Sequence, residues 1–284
     1  MRFLSFMNSV LFLLVLGCKS KPENSVKNYT LVEENGISVE VFDSIITAED
    51  RYTSNNITFK KHTEFIYSYK HISPNGEVFL FEEDHNIDDW RYAWRFVNSD
   101  SITQNSILKV KIKVKPGLQP FLEQIPDYNQ TVLQYNYITK NEESLFNSVS
   151  GVIENENNIW MHPPRDKYFR ILELNPFPFI KAPFKVGNKW NWSLKIGSSW
   201  GEKRWKTWQG AIENKYNYKI TSKKKLNTKF GKIECYEIRA EAISSIGKTE
   251  LQALFNPKYG FVELNYINID GSKTNLTLED CNEF

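Results

Sequence analysis

Cysteine and histidine are scarce in this chain, with three of the first and four of the second among 284 residues. His162 has no second His or Cys at ligand spacing, so a structural role suits it better than a place in a zinc-type centre. No metal and no cofactor is assigned. Charge of one sign is missing too. The 36 basic and 34 acidic residues leave +2, a balance that gives nucleic-acid binding no support. The local basic groups, Lys203-Arg204 with Lys206 and Lys223-Lys224-Lys225, read as solvated turns. Long helices are also absent. The nearest candidates, Leu118–Ile125 between two prolines and Glu142–Ser148, would both be short. There is no internal repeat and no low-complexity tract.

What is present begins with Arg2 and an apolar run from Val10 to Leu16. That run is too short for a bilayer core, which takes about 20 residues, but it has the length of a signal-peptide core. It ends at Val15-Leu16-Gly17-Cys18. This tetrapeptide resembles the lipobox of bacterial lipoproteins, although Leu16 is larger than the residue usual there. The resemblance implies cleavage before Cys18 and lipid attachment to its thiol. Two or three acyl chains on one residue would make anchoring effectively permanent. Residues 1–17 are then a signal peptide, 18–30 an anchor and polar tether, and 31–284 the folded domain. Lys19 stands where an Asp would mark inner-membrane retention, which favours the outer membrane of a Gram-negative envelope.

The remaining cysteines, Cys235 and Cys281, form an even pair in a compartment that permits disulfides. A bridge is expected, worth about 4 kcal/mol in the loop-entropy model; two unpaired thiols are the alternative.

Period-two alternation dominates the C-terminal hundred residues. Tyr216, Tyr218 and Ile220 alternate with lysine and asparagine, and Tyr236, Ile238, Ala240 and Ala242 with charged residues. Leu251, Ala253 and Phe255 follow the same pattern, as do Val262, Leu264 and Tyr266 and finally Leu276 and Leu278. Each pattern describes a strand with one wet face. The links Ser245–Lys248, Asn256–Gly260 and Asp270-Gly271 are turn chemistry, so an antiparallel meander is expected. Ile37–Phe42, Thr58–Tyr69, Val78–Glu82, Tyr92–Val97, Ile107–Val114, Val132–Ile138 and Val152–Met161 are further strands, with turns at Asn75-Gly76 and Pro116-Gly117. The expected fold is all-β with minor helix, a mostly antiparallel curved sheet or open barrel. A proline-rich bridge from Asn175 to Pro183 is either a linker between two halves meeting near 170–185 or a strap across one sheet.

Two stretches resemble uncharacterised extracytoplasmic lipoproteins of Gram-negative bacteria: Ser150–Glu154 with Ile159–Arg165, and Asn256–Val262 after the Gly247-Lys248-Thr249 hairpin. The second is similar to the ending of β domains related to the lipoprotein-localisation factors. That resemblance implies a curved sheet with a lipid-binding concave face, and it carries over no active site.

Catalytic motifs do not hold. Gly197-Ser198-Ser199-Trp200-Gly201 fits the nucleophile elbow, but all four histidines precede Ser199, against the chain order that elbow requires. Ser222-Lys223-Lys224-Lys225 lacks the companion motifs of a Ser–Lys enzyme. Glu82-Glu83-Asp84-His85 with Asp88-Asp89 could gather oxygens for a hard cation, yet it lacks an EF-hand's spacing and reads as an acidic hairpin tip. Tryptophan is the most unusual feature. Trp190 and Trp192 would share one strand face, while Trp200, Trp205 and Trp208 either pack an end of the core or edge a ligand-binding mouth. The expected activity is non-catalytic binding of a hydrophobic or lipid-like ligand. The alternatives are an accessory subunit of an envelope transport or secretion complex, and a glycan hydrolase with two carboxylates about 5–10 Å apart.

Overall fold

The computed structural model describes residues 29–42, 52, 53, 55–115 and 129–283. Cys18 and the lipobox lie outside the described residues, as do Leu118–Ile125 and the Pro116-Gly117 turn. The chain is all-β and antiparallel throughout, with two short 3₁₀ segments among the described residues.

The meander read from the C-terminal sequence is there. It comprises β11 (Lys189–Gly197), β12 (Ala211–Thr228), β13 (Gly231–Ser244), β14 (Gly247–Asn256), β15 (Gly260–Ile267) and β16 (Lys273–Glu283), each paired with the next. Its first long strand alternates as the sequence does, Tyr216, Tyr218 and Ile220 being buried and the residues between them exposed. The triple lysine 223–225 lies within β12, opposite Cys235 and its neighbours, and not in a turn.

β16 then pairs with β3 (Thr63–Ile72), and β3 with β6 (Ile107–Lys115). The sheet continues through β7 (Thr131–Thr139), β8 (Ser144–Glu154), β9 (Asn158–Met161) and β10 (Phe179–Lys181). One sheet thus runs from β11 to β10 through both halves of the chain. Two readings are corrected here. Glu142–Ser148 is not a helix but the turn and first part of β8, whose Phe146 stacks on Tyr137 of β7 at 5.7 Å. Val152–Met161 is not one strand but a hairpin of β8 and β9, turned at residues 155–157.

The sheet's two ends, β10 and β11, approach without a ladder of hydrogen bonds. Aromatic rings bridge that seam, with Phe179 on Trp190 at 5.7 Å and Phe177 on Trp192 at 5.5 Å. The proline-rich bridge is therefore a buried strap; Phe177, Phe179 and Ile180 are fully buried. Over the outside lies the hairpin of β1 (Tyr29–Glu34) and β2 (Ile37–Phe42), which takes in two residues assigned to the tether. Ser38 donates its N–H to the Asn158 side chain at 2.7 Å, and Lys181 donates to the Gly36 carbonyl at 3.0 Å. Gly36 is at φ +92, and a Cβ there would come within 2.6 Å of the Asn191 carbonyl, so only glycine lets this turn close onto β11.

A segment with no ladder of its own fills the interior. His162–Asn175, including the 3₁₀ stretch Lys167–Leu174, is enclosed by the sheet. Phe169 touches Tyr69, Phe81 and Tyr137 at 5.0–5.7 Å. Buried irregular backbone needs partners for its carbonyls, and inward side chains of the wall supply them. Tyr135 donates to the His162 carbonyl (2.5 Å) and Tyr218 to that of Phe177 (3.0 Å). Asn214 and Thr249 both donate to the Leu174 carbonyl, at 3.1 and 2.9 Å. This plug occupies the concave face that the sequence reading offered to a lipid.

The expected bridge between Cys235 and Cys281 is not formed. Cys235 is in β13 and Cys281 in β16, with two strands between them. Three strand spacings of about 4.8 Å exceed the roughly 4.4–6.8 Å between Cα atoms that a disulfide tolerates. Cys235 is buried, and burial pushes its thiol up to about 11.

Candidate functional site

With the interior filled, a cavity remains between a side hairpin and the loop joining β11 to β12. The hairpin is β4 (Val78–Glu83) with β5 (Trp94–Asn98); β4 pairs with β3 over only two residues, so the hairpin leaves the main sheet. The cavity measures about 640 Å³ and is lined by Ile87, Tyr92, Trp94, Arg95 and Phe96 on one side and by Gly201–Arg204 and Thr207 on the other.

The loop is held in shape by its own backbone. Glu202 and Lys206 exchange N–H to carbonyl bonds, each 2.9 Å, and Trp205 N–H reaches the Glu202 carbonyl at 3.2 Å. Gly201 sits where a Cβ would press on the Ser198 and Lys206 carbonyls at 3.1 and 3.3 Å, which keeps the turn tight.

Arg204 joins loop to hairpin. Its guanidinium lies 3.5 Å from the centre of the Trp94 ring and donates to the carbonyls of Trp94 (2.9 Å) and Tyr92 (3.3 Å). It also pairs with the buried Glu202. Burial pushes the Glu202 carboxyl upward, with Arg204 opposing; burial likewise lowers Arg204, with Glu202 opposing. Arg204, read as part of a solvated basic turn, is therefore a half-buried clamp. Lys203 beside it is exposed.

The three tryptophans of the sequence reading stand around this loop and do not line the cavity. Trp205 stacks on Trp94 at 6.5 Å and 19°. Trp200 lies under two guanidiniums, Arg170 at 4.9 Å and Arg165 at 5.5 Å. Trp208 packs with Ile196 and Ile212 in a small satellite core. All three are half-buried. They seat the loop, while the aromatic surface facing the cavity comes from Tyr92, Trp94 and Phe96, which no local motif marked. Trp190 and Trp192 share the buried face of β11.

The acidic cluster is dispersed. Burial would raise Glu82, but hydrogen bonds from Thr103, Arg95 and Ser106 outweigh it and hold the carboxyl below the usual range. Glu83 pairs with Lys167 of the plug at 2.5 Å, and Asp89 with Arg91 at 2.7 Å. Among the described residues no group of three His, Cys, Asp or Glu side chains is placed to hold a metal. Ser199 is exposed, and its carbonyl accepts from Arg170 at 2.5 Å.

No family model and no curated protein matches this chain. Among solved structures it is similar to a candidate lipoprotein of Parabacteroides distasonis, at 10% identity and TM-score 0.44 over 81% of this chain and 100% of the other. It is similar to a candidate exported protein of Bacteroides fragilis with a YmcC-like fold, at 9% identity and TM-score 0.41 over 81% and 99%. The hypothetical lipoprotein YmcC of Escherichia coli follows at 10% identity and TM-score 0.29, over 84% of this chain and 91% of that one. No helix among the described residues is long and apolar enough to cross a membrane.

Proposed function

We propose that this chain is a lipid-anchored envelope protein, held through Cys18 on the outer membrane, that binds an apolar or amphiphilic molecule without transforming it. The reading is supported by the cavity of about 640 Å³ between the β4–β5 hairpin and the Gly201–Thr207 loop. Its volume lies within the roughly 300–1,000 Å³ of ligand pockets, and such pockets pair apolar walls with a few polar groups. Tyr92, Trp94, Phe96 and Ile87 give the apolar area; Lys203 and Arg95 stand at its edge. The one carboxylate on its wall, Glu202, is engaged by Arg204, which suits a binding site better than acid–base chemistry.

The test is native mass spectrometry of a soluble Cys18→Ser form purified from periplasm without detergent. An adduct of defined mass, lost when Thr207→Trp fills the cavity from its rim, supports the reading; a clean mass for the unfilled protein sinks it. A second reading, docking onto an envelope complex, draws on the hairpin's exposed Ile87, Trp90 and Phe96, of which Trp90 is 53% exposed. Exposed aromatic side chains of this kind are enriched at interfaces. Stoichiometric co-purification that Trp90→Ser abolishes would select it.

A further inference from the structure

Residues 57–63 lie against the β14–β15 turn and the tip of the β12–β13 hairpin, and a cavity of about 570 Å³ opens between them. Its apolar surface is Ile57, Pro257 and the rings of Phe230 and Tyr259, which stack at 4.6 Å and 20°. Its charged groups are Lys60 and Lys258, the latter 4.9 Å from the centre of the Tyr259 ring. Among the described residues no carboxylate lines it. Those on adjoining strands are engaged already: Glu64 by Lys111 and Lys113, Glu234 by Lys223, and Glu279 by Lys109 and Lys229. Asp280 accepts from the Cys281 N–H at 3.0 Å. In the same loops Lys61, Lys229 and Lys232 are exposed as well.

The apolar side chain at the rim is held outward. The Glu154 carboxylate accepts from the N–H groups of Ile57 (3.1 Å), Thr58 (2.8 Å) and Phe59 (2.8 Å). Thr58 Oγ1 in turn donates to the Pro257 carbonyl at 2.9 Å. So fixed, the backbone turns Phe59 into the core and leaves Ile57 74% exposed, the most of any isoleucine, leucine or valine among the described residues.

The start of the described chain adjoins this surface. Tyr29 donates to Glu156 at 3.3 Å, two residues beyond Glu154 in the β8–β9 turn. Eleven residue steps separate Cys18 from Tyr29, a reach of at most about 40 Å. A lipid on Cys18 keeps Tyr29, and with it this end of the sheet, within that distance of a bilayer. An exposed isoleucine among unpaired lysines suits such a neighbour. A free phosphate would use the lysines and leave Ile57 in water, while an apolar protein face would bury Ile57 and desolvate the ammonium groups at a cost. A bilayer with anionic headgroups takes both, the apolar side chain entering the interface and the charges staying in the headgroup layer.

We propose that this end of the sheet docks on an anionic phospholipid bilayer, with Ile57 entering the interface and Lys60 and Lys258 meeting headgroup phosphates. The proposal rests on the Cys18 anchor, which brings the surface to the lipid.

The experiment is co-sedimentation of the unanchored Cys18→Ser form with vesicles of phosphatidylcholine, alone or mixed with phosphatidylglycerol. Binding is expected with the phosphatidylglycerol vesicles only, and should weaken as salt is raised, because the charges are exposed. Lys60→Glu with Lys258→Glu should weaken it about tenfold or more, each basic residue near such a surface being worth roughly fivefold. Ile57→Asp should weaken it too. Lys189→Glu with Lys219→Glu makes the same change in charge on the exposed side of β11 and β12 and should leave binding unchanged. The proposal is overturned by binding to neither vesicle or equally to both, by binding that survives the Lys60 and Lys258 reversal, or by an equal loss on reversing Lys189 and Lys219. Cell fractionation of the native protein tests the anchor separately. Native protein absent from membranes overturns the anchor and with it the reason for placing this end at the bilayer. Failed vesicle binding with native protein still on membranes overturns the docking surface alone.

Discussion

Two buried glutamates, one in the wall of the sheet and one in its plug, have opposite fates. Glu237 in β13 accepts from Ser222 (2.6 Å), Lys224 (3.0 Å), Arg239 (3.0 Å) and Gln252 (2.5 Å). Burial opposes its charge, but these partners win and hold the carboxyl at about 2. Glu173 is as little exposed but lies deeper in the protein, with Arg165 as its ion-pair partner; burial wins and raises it to about 7. The difference comes from depth and from backbone geometry. In a sheet, register sets side chains from both neighbouring strands around each position at fixed spacing, and Glu237 draws on β12 and β14 at once. The plug has no ladder, so Glu173 meets whatever the irregular chain brings. The wall surrounds its buried carboxylate with four donors, and the plug gives its own one, Arg165.

The largest effect is expected at pH 8, above the Glu173 value, from Arg165→Met, which removes the ion-pair partner of that buried carboxylate and should cost about 3–5 kcal/mol in urea unfolding. Arg165→Met with Glu173→Met should recover most of it. A cost below about 1 kcal/mol for the single change would mean the pair is not coupled.

Next come two pH dependences of opposite sign, each on the order of 3 kcal/mol. The native plug holds the Glu173 proton more tightly than the unfolded chain does. Its stabilisation is full below about pH 4.5 and is lost as pH rises to about 7. Native Glu237 holds its proton less tightly, so its contribution is present above about pH 4.5 and is lost as pH falls toward 2. Unfolding midpoints across that range should flatten on the neutral side in Glu173→Gln and on the acid side in Glu237→Gln. If one variant alters both limbs, the two sites are not independent.

Tyr218→Phe should cost about 1–3 kcal/mol. It removes the donor to the Phe177 carbonyl and the acceptor of the Trp192 indole N–H, the latter at 3.1 Å. The smallest change belongs to Lys223→Ala on the outer wall. Its pair with Glu234 has both side chains more than two-fifths exposed, and no measurable change in the unfolding midpoint is expected.

The same contrast explains what the sequence made legible. Strands β12 to β16 have one wet face each, so burial writes itself as alternation, and glycine or proline marks their turns. In the plug, Lys167, Arg170 and Glu173 are buried among apolar residues. Their partners are Glu83, Ser199 and Arg165, mostly far away in the chain, so a local pattern could not show them as interior. β8 misled for a related reason, since its first half is largely exposed and lacks a buried stripe. The tryptophan cluster marked the right loop, but the rings facing the cavity are Tyr92, Trp94 and Phe96, a hundred residues earlier.

The place of β16 has a consequence for how the protein is made. It is the last described strand in chain order, yet it lies mid-sheet between β15 and β3, whose residues 63–72 it pairs from 273 to 283. Among the described strands it makes the ladder that joins the two halves of the wall. During folding the edges of β3 and β15 therefore stay unjoined until residues 273–283 pair with both, a slow step for strands so distant in sequence. Such open edges are where unfinished β proteins associate wrongly, so completion of the wall depends on β16.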